Sequence, residues 1–274
     1  MSRNRPPQLA YLWLILVMAI MIAPLAWMLL TSLKTSEQLA TDPFSWWPRP
    51  WQWENFTSAI TAIPFVRYLA NSLLLCLGSV AGTLVSCSMV AYGFSHVRWA
   101  GRDWVFAILI ATMLLPWQVT MVPRFLVIRE IGLYDSLGAL IVPKFFGEAF
   151  YIFLLRQFFL TVPREMIDAA RVDGCSELGV LWRVMLPLAR PALATVALLE
   201  FVAAWNDYGG PLLYLNDPER FPLAYGLEQF VSAHSSEMNL LLAAATLFTL
   251  PIMVLFLLAQ RTFVRGITTT GLKG

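Results

Sequence analysis

Residues 165–193 read EMIDAARVDGCSELGVLWRVMLPLARPAL and are the most informative segment of the chain. It lies between two long apolar runs and contains seven charged side chains, more than almost any other segment. Pro163, just before it, suits the first position of a helix, where its missing N–H has no partner to lose. Gly174 interrupts the segment, and Ser176 with Glu177 is typical of an N-cap followed by an acidic first turn. These residues predict a helix, a glycine bend and a second helix.

Apolar and small residues recur through this segment at the spacing of one helix face, with gaps of 3, 4, 4, 3 and 4. They are Ile167, Ala170, Gly174, Leu178, Leu181 and Met185. Ala169 and Ala170 have almost no side chain, so the first helix can approach another surface closely. A helix that rests on lipid headgroups has a basic polar face and bulky apolar residues. The alanines and the partly acidic polar face therefore favour a protein partner.

The composition is that of a polytopic membrane protein. Of 274 residues, 58% are hydrophobic and 13% charged, and the mean hydropathy is +0.66, whereas soluble domains contain about 25% charged residues. A net charge of +2 does not suggest a nucleic-acid partner. The three cysteines form no CxxC pair, so buried thiols are predicted rather than disulfides, and no metal site is predicted.

Six segments have about the twenty apolar residues that a membrane-spanning helix needs. They are residues 9–32, 69–94, 104–122, 137–155, 192–213 and 240–260. The predicted fold class is therefore an all-α, six-span membrane protein with both termini on one side. The first span is too long for a signal-peptide core and lacks a cleavage site, which indicates an uncleaved anchor.

The basic residues predict the orientation of the spans. If the termini are cytoplasmic, that side has twelve lysines and arginines and the outer side has six, with Lys144 inside the fourth span. Basic loops resist translocation, so both termini and residues 165–193 are predicted to face the cytoplasm.

Two large loops are then predicted on the outer side. Residues 41–56 read TDPFSWWPRPWQWENF, and tryptophan favours the membrane interface; an interfacial belt is the favoured interpretation and a docking surface the alternative. Residues 214–239 are too polar to be embedded in lipid. In the second span, GSVAG (residues 78–82) has the small-residue spacing that lets helices approach closely.

The segment resembles the EAA loop of bacterial ATP-binding cassette (ABC) importer permeases. The family pattern is E-A-A, three residues, G, nine residues, I, one residue, L-P. This chain has Asp168-Ala169-Ala170, Gly174 after three residues, Val184 after nine, and Leu186-Pro187 after one. Both long gaps match, and the two departures, Asp for Glu and Val for Ile, are conservative.

The resemblance extends over most of the chain and implies a type I ABC importer permease of the carbohydrate-importing branch, similar to the six-span maltose-system permease. Residues 67–103 look like the start of the permease core, and residues 201–230 and 260–274 look like this branch. The implied organisation is an anchor span with an outer loop (1–67), a permease core (68–262) and a cytoplasmic tail (263–274).

The resemblance also implies functional residues and partners. Residues 163–191 would form a coupling loop seated in a cleft of a cytoplasmic ATPase, and the tail would enter the ATPase dimer interface. The implied ATPase contacts are Asp168, Ala169, Ala170, Asp173, Gly174, Leu186, Pro187, Thr269, Thr270 and Gly271. Further implied partners are a second homologous permease, which makes a heterodimer, and an extracytoplasmic solute-binding protein at residues 215–238. The expected location is the bacterial inner or plasma membrane.

No phosphate-binding loop of the form G-x-x-x-x-G-K-[ST] occurs in the chain. Nucleotide must therefore be bound by another polypeptide. The chain is predicted not to be an enzyme and to hold no cofactor, with ATP and Mg²⁺ bound by the partner ATPase.

Several polar residues fall inside the predicted spans. Glu200 lies near the middle of the fifth span, either as a hydrogen-bonding group on the sugar pathway, or in an interhelical hydrogen bond, or as a neutral, protonated carboxyl. Lys144 and Glu148 have i, i+4 spacing, which favours a structural ion pair. With Glu200, Asn206 and Asp207 near the outer end of the fifth span are candidates for the substrate path. For these two residues a gate or a helix-packing role is favoured over direct sugar binding.

The favoured hypothesis is an ATP-driven importer, whose solute is a sugar, a polyol or a glycerol phosphate. Two other classes of membrane protein are alternatives to it. An ion-coupled secondary transporter builds its site from inverted repeats, and no repeat is visible here. An intramembrane enzyme needs a catalytic arrangement such as HExxH, which the chain lacks.

Overall fold

The computed structural model describes residues 8–233 and 237–270, and all regular secondary structure in that part of the chain is helical. The helices are α1 (Gln8–Ser32), α2 (Ser36–Thr41), α3 (Glu54–Ala62), α4 (Phe65–Ser95), α5 (Arg102–Thr112), α6 (Trp117–Glu130), α7 (Gly138–Ile141), α8 (Ala149–Phe159), α9 (Arg164–Val172), α10 (Glu177–Val180), α11 (Leu186–Leu188), α12 (Arg190–Trp205), α13 (Gly209–Tyr214), α14 (Leu223–Ala233) and α15 (Met238–Thr270). A 3₁₀ segment (Val142–Phe146) follows α7, a π-helical segment (Leu181–Met185) joins α10 to α11, and a 3₁₀ turn (Pro218–Arg220) follows α13. The predicted all-α class is confirmed.

Four helical stretches are long and apolar enough to cross a membrane: Ala10–Ser32, Phe65–Ser95, Gly138–Phe159 and Met238–Leu258. The number rises to six if each of two bent helix pairs is one span. The pairs are α5 with α6, bent by 103°, and Glu177–Leu188 with α12, bent by 82°.

Two predicted spans therefore differ from the observed helices. The third was predicted as one helix over residues 104–122, but α5 ends at Thr112 and α6 begins after Pro116, whose extended backbone forms its N-cap. The fifth was predicted to continue to residue 213, but α12 ends at Trp205. Pro116 has no N–H, so the hydrogen-bond ladder of α5 cannot continue through it. After α12, the side chains of Asn206 and Asp207 bond backbone groups where the ladder stops.

One compact unit comprises the described residues of the ranges 1–66 and 226–251. In it the Lys34 side chain is fully buried, and its Nζ donates to the carbonyl oxygens of Pro43 at 3.3 Å and Ser45 at 2.5 Å. The same ammonium lies 4.5 Å from the ring centre of Trp27. These contacts fix the tryptophan-rich segment, in which Trp46, Trp47, Trp51 and Trp53 are all exposed. Its role as an interfacial belt stays a prediction.

The second unit comprises residues 67–225 and 252–270. Its core brings α4, α8, α9 and α12 together around fully buried side chains such as Leu155 and Phe159. The predicted close approach at the GSVAG pattern is present, because a Cβ at Gly82 would lie only 2.8 Å from the ring of Phe145. Cys76 and Cys87 are buried free thiols, as predicted.

Candidate functional site: an elbow and a buried charge cluster

The segment 163–191, here called the elbow, has the predicted helix–bend–helix form. Pro163 is the N-cap of α9 rather than its first residue, one position from the prediction. Gly174 has φ +84° and its N–H donates to the carbonyl oxygen of Arg171 at 3.0 Å. Glycine adopts this left-handed backbone without the Cβ clash that other residues meet, so the chain turns here.

The second half of the elbow begins at a side-chain cap. The Ser176 hydroxyl accepts a hydrogen bond from the Gly179 N–H at 3.2 Å, which confirms the predicted N-cap. The following turn is π-helical, with the Leu186 N–H bonded to the Leu181 carbonyl. Pro187 has no N–H and therefore cannot donate the backbone hydrogen bond that would restore regular α-helical pairing after the π turn. The chain then bends by 82° into α12.

The predicted buried face is correct in part. Ile167, Ala170, Leu181 and Met185 are buried, but Leu178 is 58% exposed, and the neighbouring Val180 occupies the core instead. The bend at residue 174 and the wider π turn shift the register, so a single helical period does not apply across them.

The two alanines of the motif have different environments. Ala170 lies in the chain's own core, whereas Ala169 is exposed. The expectation that both approach another surface is therefore wrong for Ala170. α9 exposes Met166, Ala169 and Val172 instead, and Val172 is 88% exposed. Their spacing of three residues could have indicated this second apolar face, which the sequence reasoning missed.

A charge network closes the bend and ties it to α4. Arg171 bonds Glu177 through Nε at 2.9 Å and Nη2 at 3.1 Å, and it bonds Asp168 through Nη1 at 2.9 Å. The Tyr92 hydroxyl donates to Glu177 at 2.6 Å. The hydrogen bonds to Glu177 raise the pKa of the Arg171 guanidinium above its ordinary value. Four side chains from three helices therefore hold the elbow in one shape.

A second group of predicted residues forms a buried cluster within the spans. The Lys144 Nζ lies 3.0 Å from Glu148 Oε2, so the predicted pair is confirmed, and also 3.0 Å from Glu200 Oε1. Glu200 is fully buried, whereas the Glu148 side chain is 44% exposed. The structure thus pairs Glu200 with a cation from another span. Its place on a solute pathway stays a prediction.

Asn206 and Asp207 lie where α12 ends. Asn206 Nδ2 donates to the Val202 carbonyl at 2.8 Å, and Asp207 Oδ1 accepts from the Gly210 N–H at 2.9 Å, next to the first turn of α13. Both side chains satisfy backbone groups at a helix break. This is a packing role, and the gate role remains a prediction.

The remaining predicted ATPase contacts lie in the tail. Thr269 and Thr270 belong to the end of α15, and Gly271 lies outside the described residues. In the chain over 8–233 and 237–270 there is no group of three or more His, Cys, Asp or Glu that could hold a metal ion.

Asp135 joins two loops on the predicted outer side. Its Oδ1 accepts from the N–H groups of Asn216 at 2.9 Å and Asp217 at 3.0 Å, and its Oδ2 lies 3.3 Å from Arg220. The backbone hydrogen bonds, more than the arginine, hold the pKa of Asp135 below its ordinary value. Its φ of +56° suits Asp or Asn.

We expect Asp135→Asn to lower the melting temperature of the purified protein by a few degrees at pH 7. Because the folded pKa is depressed, the carboxylate stabilises the fold fully above its unfolded pKa, about 3.9, and this contribution is lost as the pH falls through the folded value. The difference between wild type and variant should therefore be constant from pH 8 to 5 and shrink below about pH 4. Melting curves across this range test it, with Glu130→Gln as the matched control; a gap that persists at the lowest pH would contradict it.

An all-α, multi-span membrane protein with a rigid polar elbow between two spans has the architecture of a transport permease. The chain belongs to the family described as "Binding-protein-dependent transport system inner membrane component", whose model matches residues 78–269. It is thus a transport component of the membrane and not an enzyme, and the family confirms the importer-permease resemblance over the ion-coupled and enzymatic alternatives.

The most informative relatives are carbohydrate transport proteins. The chain is 30% identical to the arabinooligosaccharides transport system permease protein AraQ of Halalkalibacterium halodurans, over 100% of both chains. It is 28% identical to the diacetylchitobiose uptake system permease protein NgcG of Streptomyces coelicolor, covering 95% of this chain and 87% of that one. A chain in the crystal structure of a bacterial ABC transporter involved in the import of the acidic polysaccharide alginate matches with a TM-score of 0.80 and 26% identity, over 93% and 95% of the two chains.

Proposed function

We propose that this chain is the permease subunit of an ATP-driven importer for an oligosaccharide or a related sugar derivative, and that it forms half of the translocation pathway. The observation on which this proposal rests is the elbow. In this member of the permease family, the residues with the spacing of an EAA loop lie on a bent, partly exposed segment between two spans. The sugar class is supported by the names of the relatives, which import arabinooligosaccharides, diacetylchitobiose and alginate.

The elbow would couple the spans to a cytoplasmic ATPase through the exposed face of α9. Met166, Ala169 and Val172 are the apolar side chains available to a cleft on that partner, with Asp168 and Asp173 beside them. The opposite face, through Ile167 and its neighbours, is packed into the core formed with α4 and α8. Movement of the cleft would therefore displace these helices together, because close-packed cores transmit strain rather than absorb it.

The other components follow from this role. ATP and Mg²⁺ would be bound by the cassette dimer, with no cofactor in this chain, and the tail with Thr269, Thr270 and Gly271 would enter that dimer. A second permease would complete the pathway, and a solute-binding protein would dock on the outer side at residues 215–238. Both termini would be cytoplasmic.

Site-specific cross-linking in the assembled complex tests the coupling. A benzophenone-maleimide attached at Val172→Cys, in a Cys175→Ser background that removes the partly exposed native thiol, should give a product with the cassette subunit whose yield changes when ATP is added. Asn216→Cys, exposed on the predicted outer side, is the matched control and should give none. Equal yields at the two positions would contradict the coupling role, and uptake without any cassette subunit would restore the ion-coupled alternative.

A further inference from the structure

Two adjoining cavities, of about 490 and 460 Å³, open beside the elbow where α4 ends and α5 begins. Three arginines line both of them, Arg98, Arg102 and Arg164. They come from the 96–101 loop and from the first residues of α5 and α9. The loop between α4 and α5 is short and basic. The coupling role of the elbow does not use these three arginine side chains.

The first cavity has an excess of positive charge. Its one acidic residue, Asp103, lies 3.0 Å from Arg102, and among the described residues neither Arg98 nor Arg164 forms an ion pair with a carboxylate. Two carboxylates, Asp168 and Glu177, line the second cavity, and both are already paired with Arg171 within the elbow. Burial lowers the pKa of His96, and the positive charges of Arg164 and Arg171 lower it further. Two guanidinium groups thus remain available to an anion.

An exposed apolar surface continues directly from the first cavity along a span. Trp104, in the cavity wall, is 79% exposed, and Ile108, four residues later on the same face of α5, is 63% exposed. The cavity lies at the ends of two candidate spans, because α4 ends at Ser95 and the bent pair of α5 and α6 starts at Arg102. Trp99 and Trp104 are the residue type that prefers the membrane interface.

We propose that these cavities bind the phosphate headgroup of an anionic phospholipid. Arg98 and Arg164, with Arg102, hold the phosphate, and the acyl chains lie along Trp104 and Ile108. A soluble anion would contact only the arginines. A protein partner would not require an apolar surface that continues along a span. A phospholipid matches both features, because its phosphate fits the arginines and its acyl chains fit the apolar surface. The inference rests on the proposed function to the extent that it places this face in the cytoplasmic leaflet, where anionic lipids attract basic residues.

The test uses the assembled transporter in nanodiscs of phosphatidylcholine with a minor fraction of phosphatidylglycerol, followed by native mass spectrometry of the lipid retained. Arg98→Gln with Arg164→Gln should weaken phosphatidylglycerol retention about thirtyfold, since each arginine near a membrane surface contributes about a factor of five. Arg124→Gln with Arg129→Gln, on α6 at the predicted outer side, is the matched control and should retain the lipid. Unchanged melting temperatures of both variants establish that they fold.

The remaining outcomes separate the sources of the anion. Phosphatidylglycerol, but not an excess of inorganic phosphate, should protect Arg98 and Arg164 from phenylglyoxal. Protection by inorganic phosphate alone, or equal lipid retention by the double variant and wild type, would overturn the proposal; so would protection by the cassette subunit in a lipid-free complex. ATP-driven uptake is read separately, and a variant that loses the lipid while uptake persists leaves the permease function intact.

Discussion

Gly174→Pro is expected to reduce solute uptake per ATP hydrolysed at least tenfold in proteoliposomes, while the complex still assembles and retains basal ATP hydrolysis. Proline fixes φ near −65°, whereas Gly174 has φ +84°, and the substitution also removes the N–H that bonds the Arg171 carbonyl. The bend between α9 and α10 then cannot form as observed. Arg171 and Glu177, which bond across it, would be separated, and the elbow would lose its fixed shape.

Two further substitutions at the same position control for this interpretation. Space does not limit them, because a Cβ at Gly174 would meet nothing within 4 Å. Gly174→Asn should be close to wild type, since asparagine tolerates the left-handed backbone. Gly174→Ala should be intermediate, at a cost of about 1–2 kcal/mol. A proline variant that couples as well as the asparagine variant would show that the bend has no part in coupling.

Lys144→Met is expected to produce the largest loss of stability in the spans. It leaves Glu200 fully buried without its cationic partner, and breaking a buried pair in this way costs about 3–5 kcal/mol. That is a large part of the 5–15 kcal/mol that typically stabilises a folded protein. The expected result is a much shorter half-life of the detergent-solubilised protein on heating, which is the appropriate measure where unfolding is irreversible.

The double variant Lys144→Met with Glu200→Gln provides the decisive comparison. Removing both charges should restore most of the lost half-life, because no fully buried ion is then left unpaired; Glu148 also loses its partner, but its side chain is 44% exposed. Glu148→Gln alone should have a smaller effect, since that side chain is 44% exposed. A double variant no more stable than Lys144→Met would mean that the pair does not explain the loss. If the stable double variant also imports solute normally, Glu200 has no role on the solute pathway.

These two predictions differ in how far they could be made without the structure. Gly174 was identified from the sequence, because a glycine between two helical patterns is a local signal that packing seldom overrides. The pairing of Lys144 with Glu200 was not identified, since 56 residues separate them and only the packing of their helices brings them together. The role of Glu200 was left open because the residues near it in the sequence carry no information about its partner on another span.

The sequence alone determined the helical class, the apolar segments and the elbow with its glycine turn and serine cap, because hydropathy, backbone preference and capping act over a few residues. Long-range packing, in contrast, sets which motif alanine faces the core, brings Tyr92 to Glu177, and places three arginines in one cavity. Each of these three features depends on how helices that are distant in the sequence are rotated about their axes where they pack together. A bend or a π turn alters that rotation in a way that a regular helical period cannot represent.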